Sequence, residues 1–269
     1  MTHKNASRKR ALCGCFGCGA FLILLMAATL WFAGGVLVTE DSELAQILAV
    51  QAPTKPGFAV GIVVDTSGSM GKPPAKGSGE TKAAIAARAL DSIVKQCEAW
   101  AAKHPGVPFE VGLYTFSKGV RTQLAMSAFE PSALREAIRK IPPPNGGTAL
   151  GGALLVSGSQ LGATAYQQRH LFVLTDGENT VGHDPASVAS ILDLNSEHTI
   201  RIHCVAFDTE AEQFEFLKEV GGKVHAADGA DLDSVVDRVF GEILAEAPDD
   251  SPNAPGQPDE PQPPQPSSK

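Results

Sequence analysis

Three short stretches of the chain gather oxygen donors in a pattern that could hold a hard cation. Asp65-Thr66-Ser67-Gly68-Ser69 sets one carboxylate and two hydroxyls two residues apart, directly after the apolar run that ends in Val63 and Val64. Asn145-Gly146-Gly147-Thr148 offers a third hydroxyl behind two glycines, and Leu174-Thr175-Asp176 a second carboxylate at the end of another apolar run. Hard divalent ions take oxygen ligands, and magnesium wants an octahedron of about six while keeping several waters. Magnesium is the expected ion, and manganese or calcium also suits the donors.

Each stretch by itself has a plainer reading. Asp-x-Ser-x-Ser can be an ordinary Asx or Ser turn ending a strand, and Thr148 can be a helix N-cap. Other chemistries find less support. The chain has no Gly-x-Ser-x-Gly elbow and no phosphate-binding loop, since Gly77-Ser78-Gly79-Glu80-Thr81-Lys82 has the wrong order. The seven histidines are scattered, and His170, His183, His198, His203 and His225 show no His-x-x-x-His spacing. A metal-dependent hydrolase would need a general base near the ion, for which Glu178 is the only obvious candidate. The net charge of -8 excludes a general phosphate-binding surface, so nucleic acid is not an expected partner.

The elements that must position these donors alternate along the chain. An apolar run over 58–64 reads as a strand buried on both faces, followed by a helix over 81–102. A strand over 109–116, an edge-like piece over 120–124, and helices over 132–140 and 149–161 come next. A strand over 171–174, a helix over 185–196 with Pro185 at its start, and a strand over 201–207 follow. A helical stretch over 210–220, a short strand over 223–226 and a helix over 231–245 close the series. This order predicts an α/β fold with a mostly parallel sheet wrapped by helices on both faces. In such sheets ligands bind at the carboxyl edge, near the point where the strand order reverses.

With 269 residues, there is room for one main domain and for segments outside it. Lys4, Arg8, Lys9 and Arg10 form a basic arm over 1–17, and no charged residue follows from Ala11 until Glu40. Residues 18–38 supply nearly the roughly 20 apolar residues a transmembrane helix needs. Basic residues before it and Glu40, Asp41 and Glu43 after it predict a cytoplasmic N-terminus and a domain outside the cytoplasm, periplasmic or extracellular. A cleaved signal peptide is the competing reading, although Trp31-Phe32-Ala33 is a poor cleavage signal. Cys13, Cys15 and Cys18 lack a fourth ligand at zinc-finger spacing. Cys97 and Cys204 are expected as unlinked, buried small hydrophobes. Residues 39–56 read as a linker, 57–246 as the main domain, and 247–269 as a disordered proline-rich acidic tail.

Together, Asp65, Ser67, Ser69, Thr148 and Asp176, with their order and strand contexts, resemble the metal-ion-dependent adhesion site (MIDAS) of von Willebrand factor A (VWA) domains. The resemblance covers about 58–246. It implies a Rossmann-like, doubly wound sheet and a divalent metal held by the three hydroxyls directly and by the two aspartates directly or through waters. It also implies binding of a protein partner through that partner's Asp or Glu, as in adhesion. A hydrolase, or an assembly scaffold acting without metal, is the alternative. Two departures from the family pattern stand out: a longer, more flexible stretch over 71–80, and Asp208 where a glycine often follows the strand. Lys72 and Lys76 in that stretch could attract an acidic partner.

Overall fold

The computed structural model describes residues 52–77 and 79–248. The basic arm, the expected spanning segment 18–38 and nearly all of the expected tail lie outside these residues. Among the described residues no helix is long and apolar enough to cross a membrane.

Six strands form one sheet in the order β3-β2-β1-β4-β5-β6. They are β1 (Lys55–Asp65), β2 (Phe109–Phe116), β3 (Val120–Ala128), β4 (Tyr166–Thr175), β5 (Ile200–Phe207) and β6 (Lys223–Ala227). Every neighbouring pair is parallel except β2 with β3, which is antiparallel and forms one edge. The helices are α1 (Lys82–Lys103), α2 (Pro131–Arg139), α3 (Leu150–Gly162), α4 (Pro185–Asn195), the short α5 (Phe216–Glu219) and α6 (Leu232–Ala245). This is the mostly parallel, helix-flanked α/β sheet that the alternating pattern predicts.

The central strand explains the architecture. In β1, Phe58, Val60, Ile62 and Val64 enter a core with α1, α2 and α6, while Ala59 and Val63 enter a second core with α3 and α4. Side chains alternate across a strand, so a run apolar at every position is stable only when both faces are covered. Each fully buried Val, Ile or Phe of this kind contributes roughly 1.5–3 kcal/mol. Gly61 lies where β1 meets β4 most closely: a Cβ there would come within 2.7 Å of Leu171 Cδ2. Cys97 sits in the first core and Cys204 in the second, both buried and free, in agreement with the reading as small hydrophobes.

Several boundaries differ from expectation. β4 runs from Tyr166 instead of 171, because the polar stretch before Leu171 finds partners far away in sequence. Arg169, fully buried, donates to Gly162 O at 3.2 Å and to Thr199 Oγ1. His170 is buried beside His203, with Nδ1 and Nε2 3.2 Å apart. β3 extends to Ala128 through irregular pairing with β2, so the expected edge piece over 120–124 is too short. Residues 210–220 form a 3-10 turn over Ala211–Phe214 and then α5, not one helix. Here Phe214 and Leu217, three residues apart, are the buried anchors, a spacing that a 3-10 turn satisfies. β1 begins at Lys55, two residues inside the expected linker.

The paired histidines make the fold pH-sensitive. Burial holds His170 at about 4 and His203 at about 3, below the usual histidine range. Both are therefore neutral in the folded protein, while the unfolded chain takes up protons below about pH 6.5. Their contribution is complete above that pH and is lost as the pH falls toward 4. Thermal melts should therefore show the stability gap between wild type and His203→Gln narrowing as pH drops from 7 to 4. A gap independent of pH would contradict the assignment of a neutral buried pair.

Candidate metal centre

The carboxyl edge of the sheet brings four of the five expected residues into one hydrogen-bonded chain. Asp65 is the last residue of β1 and Asp176 directly follows β4, and the parallel register Val64↔Leu174 sets Asp65 level with Thr175. The Thr175 hydroxyl donates to Asp65 Oδ2 at 2.7 Å, and the Ser67 amide donates to Oδ1 at 2.7 Å. Ser67 Oγ and Ser69 Oγ are 2.9 Å apart, and the Ser69 hydroxyl donates to Asp176 Oδ1 at 2.8 Å. Asp65, Ser67 and Asp176 are each at least 95% buried.

The plainer reading holds in part at the first motif, where the Ser67 amide on Asp65 Oδ1 is an Asx turn, and fails at Thr148. Ser67 precedes the 3-10 turn Gly68–Gly71 as its N-cap, yet its side chain caps nothing. Its hydroxyl faces Ser69 instead. Thr148 is not the N-cap of α3; Ala149 holds that place, and it too caps nothing with its side chain. The Thr148 amide donates to Thr180 Oγ1 at 2.8 Å. Its loop is tied to the first motif by the Asn145 amide on Thr66 O at 2.9 Å and the Gly68 amide on Gly146 O at 3.0 Å. Gly146 has φ +85, where a Cβ would also lie 2.7 Å from Lys118 Cγ, so glycine is required for this approach. Thr148 is thus held in the neighbouring loop, without a hydrogen bond to the other four residues.

The donor set fits a hard cation. Among the described residues no three His, Cys, Asp or Glu side chains group as a metal site, so two carboxylates need the serine and threonine oxygens to complete one. With its proton given to Asp176, the Ser69 hydroxyl accepts from Ser67 and keeps one lone pair for a cation. Burial, above all, pushes Asp65 up to about 6, with Asp176 repulsion adding to it and the hydrogen bonds from Thr175 and Ser67 opposing it. A positive ion would relieve that penalty.

Four residues around the centre were not assigned to it from sequence. Thr175 orients Asp65, and Thr66 donates to Phe116 O at 2.9 Å, locking the start of the turn to β2. Lys82, the first residue of α1, is 7% exposed and places Nζ 2.7 Å from Asp176 Oδ2 and 3.3 Å from Asp208 Oδ2. Thr66 and Thr175 lie within the two motif stretches themselves, whereas Lys82 carries no local signal. The stretch over 71–80 is anchored by the Lys82 amide on Lys72 O at 2.9 Å and the Ala75 amide on Asp208 Oδ1 at 2.9 Å. Lys76 faces Asp228 at 3.3 Å and stays largely exposed. Asp208 takes φ +54, a left-handed conformation that aspartate tolerates better than most residues, which accounts for the missing glycine. Glu178, two residues beyond Asp176, is exposed, and among the described residues no hydrogen bond or ion pair joins it to the cluster.

With this geometry in view, the comparisons give a consistent class. The family model described as von Willebrand factor type A domain matches residues 60–178, which carry all five expected residues. No curated protein matches the chain. Among solved structures, BatB, a conserved hypothetical protein from Bacteroides thetaiotaomicron, is similar with a TM-score of 0.55 at 19% identity, over 71% of this chain and 100% of that one. The von Willebrand factor type A structure from Catenulispora acidiphila gives 0.53 at 21% identity, over 74% and 46%. The PilB minor pilin of Streptococcus sanguinis gives 0.54 at 15% identity, over 72% of this chain and 62% of its own length. At such identities the structural likeness is one of fold alone.

Because burial raises the pKa of Asp65 to about 6, its charge opposes folding as the pH rises from about 4 through 6. Asp65→Asn should therefore melt a few degrees above wild type at pH 7.5 in chelator, a gap that closes near pH 4. A lower melting temperature for the variant at pH 7.5 would contradict the penalty assigned to Asp65.

Proposed function

We propose that this domain is a VWA-type binding module that holds one divalent cation among Asp65, Ser67, Ser69, Thr148 and Asp176 and binds a protein partner through that partner's Asp or Glu. Magnesium fits best, with manganese or calcium as possible occupants. The observation that carries the reading is the chain of hydrogen bonds at the carboxyl edge, which gathers oxygens from separate loops where such sheets bind ligands. A divalent ion there would supply an open coordination position for an anionic oxygen.

The protein's own groups do the rest. Thr175, the Ser67 amide and Ser69 hold the two carboxylates in fixed orientations, so an ion meets a preorganised site. Beside it, Thr66, Asn145, Pro142, Pro143 and Pro144 line a cleft of about 550 Å³ together with Lys118 and Arg121. Both basic side chains are exposed, and neither is ion-paired among the described residues. An acidic segment would gain long-range attraction there beyond the one carboxylate at the ion. The reading is of binding without catalysis. With segment 18–38 as a retained membrane helix and the N-terminus cytoplasmic, the domain would work outside the cytoplasm as a single-pass anchored module.

The test is a pair of measurements on the purified chain. Magnesium or manganese should raise the melting temperature, and Asp65→Ala or Asp176→Ala should remove the gain. Partner capture by crosslinking should fail in chelator and weaken in a Lys118→Glu, Arg121→Glu variant whose metal-dependent melting is unchanged. Identical melting curves with and without metal would sink the metal-bridged reading.

A further inference from the structure

Lys82 occupies a place that helix formation alone disfavours. It is the first residue of α1, where the helix dipole repels positive charge, and no acidic residue stands in that first turn. Nearly buried, it also has to be desolvated. What holds it there is two carboxylates. Asp176 Oδ2 lies 2.7 Å from its Nζ and Asp208 Oδ2 3.3 Å. Asp208 in turn stands in a left-handed conformation with its other oxygen on the Ala75 amide. The lysine, the metal-site aspartate and the stretch over 71–80 are thus one connected unit.

We propose that Lys82 is a resident counter-cation of the metal centre, which lowers the site's affinity for a divalent ion and leaves a bound ion short of negative charge. The inference rests on the metal reading above. The charges show the consequence. Asp65 and Asp176 alone balance a divalent ion, and a partner's carboxylate then brings the group to a net negative charge. With Lys82 and its second partner Asp208 both counted, the same ion leaves the group neutral where without the lysine it would be negative, so the lysine keeps it one charge more receptive to the partner's carboxylate. Asp176 already gives one oxygen to Ser69 and the other to Lys82, so the ion must share that carboxylate with a fixed ammonium. Asp208 moderates the effect by drawing part of the lysine's charge away from Asp176. The arrangement exchanges tight retention of the ion for stronger capture of an anionic ligand.

The test is Mn²⁺ binding to the full chain, read from the free-ion electron paramagnetic resonance signal at constant ionic strength. Lys82→Gln and Lys82→Met should bind Mn²⁺ about tenfold or more tightly than wild type, as expected when a like charge is removed a few ångströms from a divalent ion. Asp208→Asn should bind it more weakly, because the lysine then rests on Asp176 alone. A purely structural lysine would loosen the site, so its loss would weaken binding. Unchanged or weaker Mn²⁺ affinity in a folded Lys82 variant overturns the proposal while leaving the metal reading intact. Should neither Lys82 variant fold, unchanged or tighter binding in Asp208→Asn overturns it. Absence of Mn²⁺ binding in wild type and every variant overturns the metal reading itself, and this proposal with it.

Discussion

The parallel pairing of β1 with β4 is the constraint on which the rest depends. Its register places Val64 opposite Leu174, so both strands end at the same level and their terminal polar residues meet. Thr175 can then donate to Asp65, and Asp176 can reach Ser69 across a sequence separation of 107 residues. A slip of one residue would turn the alternating faces of β1 over and send its apolar side chains into the wrong cores. The two hydrophobic cores therefore hold the register, and the register builds the centre. At this point the strand order also reverses, so the chain leaves to opposite sides and opens a crevice above the sheet edge.

Above that edge the energetics oppose burial. Asp65 and Asp176 are withdrawn from water close to one another, and the raised pKa of Asp65 records the cost. Hydrogen bonds from Thr175 and the Ser67 amide offset part of it, and the ion pair of Lys82 stabilises Asp176. Ala75 is tied to Asp208 and Lys76 to Asp228, and Asp208 in turn meets the lysine that faces Asp176.

Much of the fold was legible because burial on two faces leaves a plain mark. The runs over 58–64, 109–116 and 201–207 had to be buried strands, and each lies within an observed strand. Legibility failed where polar residues are buried. Arg169 and His170 interrupt the apolar pattern of β4, and the partners that meet them there, Gly162, Thr199 and His203, come from outside the strand. The site divides similarly. Asp65, Ser67 and Ser69 form a local motif that can be read directly, while Lys82 and Asp208 act through space and have no fixed spacing to betray them.

By itself the sequence determined which segments must be buried, the alternation that makes a parallel sheet, and five oxygen donors placed at the ends of its strands or the start of a helix. Local composition and periodicity suffice for these, since they depend on neighbours within a few residues. Only the tertiary structure decided that Ser67 faces Ser69 instead of capping its turn, that Thr148 is not an N-cap, and that a lysine shares the second carboxylate. Those outcomes depend on which distant groups reach each polar atom once water is excluded, and pairing at that range is set by strand order and register.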